Sequence, residues 1–154
     1  MNKDFADAWV AALREPDRRQ TRGVLHKTDG INDSYCCLGV ACKILAATFP
    51  DKVTAERVGG LVRYGVSGGG GSSYTLPIGM NNLVDASENW GDTAYYGHIE
   101  GSREWWENHE KWGEEYADLV KMVGGSLDSL AALNDNGMPF AAIADFIEAF
   151  YEQL

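Results

Sequence analysis

The longest apolar stretch in the chain runs from Cys36 to Ala47, and Lys43 is the only charged residue within it. A segment that is apolar on every face cannot lie at a surface, so this pattern predicts a central helix that the rest of the chain encloses. Asp33 or Ser34 precedes the segment at a position where a side-chain oxygen can cap the first turn of a helix.

Apolar residues recur at helical spacing on both sides of this segment. Phe5, Trp9 and Leu13, for example, are four residues apart. We expect Ser126 to cap one C-terminal helix and Pro139 to open the next one. Together these patterns predict helices at residues 3–14, 75–86, 103–123, 126–136 and 139–147.

Strand patterns are fewer and shorter. Residues 23–36 predict a hairpin, because Asp29-Gly30 supplies the positive φ that a tight turn requires. Residues 61–66 predict a further strand, preceded by a short helix that begins near Val53. The expected fold is therefore α+β and mainly α. We expect a single compact domain, residues 1–154, with five or six helices around the buried cysteine-rich helix and one small β-hairpin or sheet.

A run of glycine and serine occupies residues 67–73. Four consecutive glycines give up side-chain packing, so we expect a flexible loop there, and it resembles an engineered linker as much as a natural one. The lysine and Ser/Thr of a phosphate-binding loop do not follow these glycines. We expect the protein to use no cofactor.

The formal net charge is −10, and it is distributed unevenly. Residues 1–63 carry ten Lys/Arg against eight Asp/Glu, or +2, whereas residues 64–154 carry three against fifteen, or −12. The second half would repel a nucleic-acid duplex, because affinity for phosphates rests on Lys and Arg. We therefore expect no direct nucleic-acid binding, and the C-terminal helix pair, which resembles a helix-turn-helix, has Asp145 and Glu148 where a recognition helix needs cations.

The chain has no apolar stretch long enough to cross a bilayer and no apolar leader segment near its start. Three cysteines, two of them adjacent, make a poor disulfide framework, so we expect reduced thiols, a cytoplasmic location and no membrane partner.

Cys36 and Cys37 lie at the expected start of the central helix, where the helix dipole favours a thiolate. A cysteine hydrolase could combine either thiol with His26 as the base and with Asp33 or Asn134 as the orienting group. The alternative is that these cysteines are small buried hydrophobes, which is the common role of the residue. Adjacent cysteines seldom ligate one ion and no C-x-x-C spacing occurs, so we expect no metal.

The segment from Arg14 to Arg22 is the one concentrated cluster of positive charge, with Arg14, Arg18, Arg19 and Arg22. Guanidinium groups bind phosphate and carboxylate in bidentate fashion, so the cluster predicts an anionic ligand. Aromatic rings that could stack on a base, and amide or carboxylate groups that could hold a ribose, complete the predicted ligand-binding set. That set is Arg18, Arg19, Arg22, Tyr35, Tyr64, Trp90, Asn134 and Asp135.

Acidic residues line one side of the predicted helix 103–123: Glu104, Glu107, Glu110, Glu114, Glu115 and Asp118. They are either a solvated face or a surface that mimics nucleic acid and binds a basic host protein. The opposite stripe contains Trp105 and Trp112 and is either core or a contact between copies in a homo-oligomer.

Five blocks of residues carry a resemblance to known proteins: Trp9-x-x-x-Leu13-Arg14, Gln20-x-x-Gly23-x-Leu25, Tyr35-Cys36-Cys37-Leu38-Gly39-Val40-x-Cys42, Leu76-Pro77, and Leu130-x-x-Leu133-Asn134-Asp135-x-Gly137-x-x-Phe140-x-x-Ile143-Ala144. With these blocks the chain resembles a family of uncharacterised small proteins of tailed-phage genomes. It departs from the family pattern in its glycine run and in the Trp-rich segment 88–124, which looks like an insertion. The resemblance implies a phage origin and a role inside the host cell during infection, and it supplies no catalytic residue.

Three functions follow as hypotheses. The first is a non-enzymatic phage protein that binds a small anionic, nucleotide-derived ligand and interferes with host signalling or defence. The second is a cysteine-dependent hydrolase that uses Cys36 or Cys37 with His26. The third is an acidic protein-interaction module that blocks a host protein.

Overall fold

The structure is a computed structural model that describes residues 1–87, 90, 94, 96–123 and 129–154. Six α-helices lie within these residues: α1 (Lys3–Leu13), α2 (Cys37–Thr48), α3 (Ser102–Asn108), α4 (Gly113–Val123), α5 (Leu130–Asp135) and α6 (Phe140–Phe150). Five strands accompany them: β1 (Arg19–Gln20), β2 (His26–Thr28), β3 (Asp33–Tyr35), β4 (Val53–Val58) and β5 (Leu61–Val66). The fold is α+β, as the sequence predicts.

The strands form one mixed sheet in the order β1-β3-β2-β5-β4. β1 pairs with β3 in parallel, and the remaining neighbours are antiparallel. The predicted hairpin is confirmed as β2 and β3, and its turn is fixed by Asp29, whose carboxylate accepts from the backbone N–H groups of Ile31 (2.9 Å) and Asn32 (2.7 Å).

α2 is the central helix that its apolar pattern predicts. Every side chain from Cys37 to Cys42 is buried, and so is Leu45. α1 lies against it, and the indole N–H of Trp9 donates to the carbonyl of Cys37 at 2.9 Å. Gly39 allows the closest approach, because a Cβ at this position would lie 1.6 Å from the carbonyl oxygen of Leu25.

The predicted cap of α2 is wrong. Neither Asp33 nor Ser34 caps the helix, because both belong to strand β3. Cys36 occupies the N-cap position, and its sulfur accepts from the backbone N–H of Gly39 at 3.3 Å.

Residues 53–58 form strand β4, not the predicted short helix. Gly59 and Gly60 connect β4 to β5, and Gly59 has a φ of +62°. A Gly-Gly pair between two short runs is typical of a hairpin, and the β-branched residues Val53 and Thr54 favour a strand, so the sequence contained this signal.

The helix predicted at 75–86 is also wrong, since only Asn81–Leu83 form a short 3-10 turn. Gly79 (φ +90°) and Asp85 (φ +52°) interrupt the helical conformation on either side of that turn. The segment still contributes to the core through Leu76, Met80 and Val84.

The single helix predicted at 103–123 is two helices, α3 and α4, with a break at His109–Trp112. Gly113 lies so close to the end of α3 that a Cβ there would be 2.6 Å from the carbonyl oxygen of Glu107. The chain therefore leaves the helical conformation where the periodicity of its apolar residues suggests one continuous helix, and Gly113 allows the close approach at this break.

The described tryptophans of the segment 88–124 pack into the same core as the rest of the described chain. Trp90 is fully buried and meets Trp9 edge-on at 5.9 Å between ring centroids. Trp106 stacks on Phe146 of α6 at 5.1 Å. The Trp105 and Trp112 stripe also faces inward: Trp105 packs on Phe146, and the indole N–H of Trp112 donates to Asp145 at 2.7 Å. This stripe serves the core, where the sequence left open a contact between copies.

The end of the glycine-rich segment 67–73 runs antiparallel to β5 and pairs with it at one position. The backbone N–H of Tyr64 donates to the carbonyl of Ser72 at 2.8 Å, and the N–H of Ser72 donates back at 2.7 Å. The predicted cap Ser126 lies outside the described residues, and Ser129 caps α5 through a bond from the N–H of Ala132. None of the described helices is long and apolar enough to cross a membrane.

Candidate functional site

Asn134 joins three separate parts of the chain. Its side-chain oxygen accepts from the backbone N–H of Cys37 at 3.2 Å and from the amide of Gln20 at 2.9 Å, and its amide donates to the carbonyl of Thr21 at 2.9 Å. The adjacent carboxylate of Asp135 accepts from the N–H of Gly23 at 2.9 Å. Three of the blocks quoted above therefore meet in one cluster around the buried Asn134, which we call the Asn134 clamp.

The clamp gives Asn134 a structural role. The residue is fully buried and all of its hydrogen-bonding atoms have partners within the chain. Asp135 likewise fixes the start of the segment after β1. All polar atoms of Asn134 are thus engaged within the chain, which argues against a ligand-binding role for it, whereas Asp135 is exposed and its predicted role stays a prediction.

The cysteines are buried and protonated. Cys37 is completely buried, and its thiol donates to the carbonyl of Leu130 at 3.3 Å. Burial raises the pKa of Cys36 to about 12, and it raises the pKa values of Cys37 and Cys42 well above the ordinary range. The loss of solvation outweighs the effect of the helix N-terminus, so none of these thiols has the properties of a nucleophile near neutral pH.

His26 interacts with residues other than the cysteines. Its Nδ1 lies 2.9 Å from the hydroxyl of Tyr64, and its ring stacks on Tyr35 at 4.2 Å. Its Nε2 lies 3.2 Å from an oxygen of Asp33, but the two atoms are not aligned for a hydrogen bond. Burial lowers the pKa of His26, although Asp33 acts in the opposite direction. His26 and Asp33 are thus close together, as the hydrolase hypothesis requires, but the contacts of the His26 ring are with Tyr64, Tyr35 and Asp33 and not with a cysteine.

The arginine cluster is dispersed. Arg14 donates to Asp145 (2.6 Å) and Glu148 (2.7 Å) of α6, so these acidic residues are paired within the chain. Arg18 donates to the carbonyl of Ala12 at 2.6 Å and pairs with Glu15. Arg22 lies against Gly137, where a Cβ would be 2.9 Å from its guanidinium.

The predicted stacking rings are not available to a ligand. Tyr64 and Trp90 are buried in the core. Tyr35 is also buried, with His26 on its ring and the cationic groups of Arg18 (5.4 Å) and Lys43 (5.0 Å) near the ring centroid. Tyr35 therefore positions cations and does not offer a free face.

A row of three side chains crosses the sheet beside this group. Arg19 on β1 is paired with Ser34 on β3, and Ser34 is paired with Lys27 on β2. Paired residues of neighbouring strands point to the same face, so the hydroxyl of Ser34 lies between two cations. Among the described residues, neither Arg19 nor Lys27 has a carboxylate within ion-pair distance.

The three residues line a cleft of about 160 Å³, which Asp29, Asn32 and Asp33 complete. Hydrogen bonds from Asn32 and Ile31 lower the pKa of Asp29 to about 2, so the hairpin turn stabilises the charged form of this carboxylate. The Thr28 hydroxyl, and to a lesser extent His26, lower the pKa of Asp33.

A second cleft of about 200 Å³ adjoins the first. It is lined by Glu15, Asp17, Arg18, Arg19, Asp33, Tyr35 and Lys43. The two clefts share Arg19 and Asp33 in their linings. We call the two together the β1 cleft. Within the described residues, no group of three His, Cys, Asp or Glu side chains is placed to hold a metal ion.

Of the predicted ligand-binding set, Arg18, Arg19 and Tyr35 line the β1 cleft, but Arg18 is paired with Glu15 and the ring of Tyr35 is covered by His26, so Arg19 is the one of these three that remains available to a ligand. Lys27, Ser34 and Lys43, which were not in the predicted set, also line the cleft. Lys27 and Ser34 were detectable in principle, because a hairpin that turns at Asp29-Gly30 places them opposite each other. The contribution of Arg19 depends on the parallel pairing of a two-residue strand, for which the sequence has no signal.

A family model described as a domain of unknown function (DUF8296) matches residues 1–69. The match spans α1 through β5 and includes the cysteines and the cationic residues of the β1 cleft, whereas Asn134 lies outside it. The chain is thus similar to an uncharacterised family over a little less than half of its length. No curated protein and no solved structure matches the chain.

Proposed function

We propose that this protein binds a small anionic, nucleotide-derived ligand in the β1 cleft and acts by capturing it, without catalysis. The observation that carries this proposal is the row of Arg19, Ser34 and Lys27, in which two cations without ion-pair partners among the described residues flank a hydroxyl. Such a row offers a phosphate group a guanidinium fork, an ammonium group and a neutral hydrogen-bond donor.

The carboxylates of the cleft favour a nucleotide over a simple inorganic anion. Asp33 is shared by both halves of the cleft, and its side chain is about half exposed. A carboxylate repels phosphate, but it accepts hydrogen bonds from ribose hydroxyls and base amino groups. The Asp33 side chain lies on the opposite face of the sheet, beside Thr28 and His26. A ligand with a phosphate at Arg19 and Lys27 would therefore reach Asp33 with its sugar or base only around the edge of the sheet.

The burial of the two candidate thiols supports capture over hydrolysis by a cysteine. Cys36 and Cys37 are protonated by burial, and His26 is engaged with Tyr64 and Tyr35. A hydrolase would need a thiolate within reach of a base. The role in infection, interference with host signalling or defence, rests on the resemblance to tailed-phage proteins and belongs to the proposal.

The experiment is titration calorimetry and thermal denaturation with a panel of nucleotides and with inorganic phosphate. We expect at least one nucleotide to raise the Tm, with weaker binding at higher salt. Arg19→Ala and Lys27→Ala should each reduce affinity about tenfold or more, since a hydrogen bond to a charged group contributes roughly 1.5–3 kcal/mol.

Arg22→Ala is the matched control, because it removes the same charge from an arginine that lies against Gly137 and outside the cleft. It should leave the affinity nearly unchanged. If no nucleotide binds, or if Arg22→Ala weakens binding as much as Arg19→Ala does, then the cleft is not the site.

The acidic surface of α3 and α4 supports a second candidate function. Its six acidic residues, Glu104, Glu107, Glu110, Glu114, Glu115 and Asp118, are all exposed. They could bind a basic host protein by mimicking the charge of nucleic acid. A pull-down with the wild type and with a variant in which these acids are changed to Gln or Asn tests this function. Capture of the same basic protein by both forms would exclude it.

A further inference from the structure

The outer edge of β4 is the longest unpaired strand edge in the described part of the chain. β4 is the last strand of the sheet, and no described strand lies beyond it. Residues 54–58 are exposed, so neither face of the strand is covered. An exposed edge of this length is a template for pairing with another strand.

The hydrogen bonds of the neighbouring strand β5 show which backbone N–H and C=O groups of β4 point to the open edge. Tyr64 on β5 exchanges both of its backbone hydrogen bonds with Ser72, on the side away from β4. Tyr64 therefore cannot bond to Ala55, its partner on β4, and the pair is of the wide, non-hydrogen-bonded type. The N–H and C=O groups of Ala55 must point outward, away from β5. Because backbone groups alternate in direction along a strand, those of Arg57 point outward as well.

We propose that the β4 edge pairs antiparallel with the β4 edge of a second copy of this chain. In a hydrogen-bonded pair both residues must point their backbone groups at each other, so the odd-numbered residues of one copy must face odd-numbered residues of the other. The two-fold axis then passes through a residue and not between two residues.

Charge selects which residue lies on the axis. An axis at Glu56 places two glutamates directly opposite each other, and an axis at Arg57 does the same with two arginines. Like charges in opposed positions are destabilising. An axis at Ala55 pairs Glu56 with Thr54 and Arg57 with Val53 of the other copy, without a like-charge pair, and it overlaps residues 53–57 of both copies. The N–H of Val53 already donates to the carbonyl of Phe49 at 2.8 Å, so each outer pair would be joined by the N–H of Arg57 and the C=O of Val53 alone.

The charge distribution of the whole chain favours the same contact. Residues 1–63 carry +2 and residues 64–154 carry −12, so a contact through residues 1–63 brings together less like charge than a contact through residues 64–154. β4 belongs to the nearly neutral part. Pairing at β4 joins the copies through the part of the chain that carries the least repulsion.

The first test is disulfide crosslinking of Ala55→Cys. Two residues 55 on the axis would have Cα atoms about 5.5 Å apart, within the range of a disulfide. The three native cysteines are buried and do not compete. We expect a covalent dimer under mild oxidation. Val58→Cys is the control and should not crosslink, because an axis at Ala55 separates the two residues 58 by about six residues of strand. Preferential crosslinking of Glu56→Cys or Val58→Cys would overturn the proposed register.

The second test is Ala55→Pro, measured by sedimentation over a range of concentrations. Proline removes an N–H that is not part of the β4–β5 ladder, so the fold should persist, as circular dichroism can verify. We expect self-association about tenfold weaker or more, since both axial hydrogen bonds are lost. Ala55→Thr keeps the N–H and should associate like the wild type. A wild type that stays monomeric at all concentrations, or a folded Ala55→Pro that dimerises normally, would overturn the proposal.

Discussion

Asn134→Ala is the substitution that best tests whether the Asn134 clamp is structural. It removes a side chain that makes four hydrogen bonds, two as acceptor and two as donor, from a fully buried position. Gln20 retains its second bond, to the carbonyl of Met138 at 2.8 Å, and Asp135 retains its bond from Gly23. The groups left without a partner are the N–H of Cys37 and the C=O of Thr21.

The expected loss follows from these two groups. Each buried backbone group that loses its partner destabilises the fold by roughly 1–3 kcal/mol. The missing side-chain atoms leave a small void and add about 1 kcal/mol. We therefore expect Asn134→Ala to reduce the free energy of unfolding by about 3–7 kcal/mol, a large part of the roughly 5–15 kcal/mol of a typical domain.

The assay is urea denaturation followed by tryptophan fluorescence. Asn136→Ala is the matched control, because Asn136 is exposed at the end of the same helix and its amide makes one bond, to the carbonyl of Ala132 at 2.9 Å. It should change stability by about 1 kcal/mol or less. A loss below about 1 kcal/mol for Asn134→Ala would refute the clamp and would restore Asn134 as a candidate ligand residue.

Three further predictions rest on the core. Gly39→Ala should prevent normal folding, as judged by expression and circular dichroism, because its Cβ would lie 1.6 Å from the carbonyl oxygen of Leu25; a stable, native-like variant would contradict the packing. Iodoacetamide at pH 7.5 should label the three cysteines only in denaturant, since burial raises the pKa of Cys36 to about 12; rapid labelling of one thiol in the folded protein would revive the hydrolase hypothesis. Burial lowers the pKa of His26, so the unfolded chain takes up this proton first and stability should fall as the pH drops below about 6.5. His26→Gln should lessen that fall between pH 7.5 and 5, and an unchanged pH dependence would contradict it.

The elements that the sequence predicts well are those whose signal is local. α1 and α2 follow from the periodicity and continuity of apolar residues, and the β2–β3 hairpin follows from Asp29-Gly30. The errors occur where a glycine interrupts a segment that its apolar residues predict to be helical. Residues 53–58 were expected to form a helix, but Gly59 allows the turn of a hairpin and they form strand β4. Residues 103–123 were expected to form one helix, but the chain breaks before Gly113 and forms α3 and α4.

The candidate site was harder to predict because a charged residue is available to a ligand only if it is not already paired with another residue of the chain. Four arginines looked equivalent in the sequence, yet Arg14 and Arg18 pair with acidic groups and Arg22 lies against the α5–α6 turn. Arg19 alone of the four is left to face Lys27 across the sheet. Only the tertiary structure determines which cations are neutralised.

The clamp and the cleft are connected through adjacent residues of one short strand. Gln20 points to the clamp, where its amide donates to Asn134 and to the carbonyl of Met138, whereas Arg19 points to the opposite face of the sheet and into the cleft. A strand of two residues has little stability of its own, so these contacts of Gln20 determine where Arg19 lies. The clamp is therefore how a residue near the C-terminus can position a cation in the part of the chain that matches the family model.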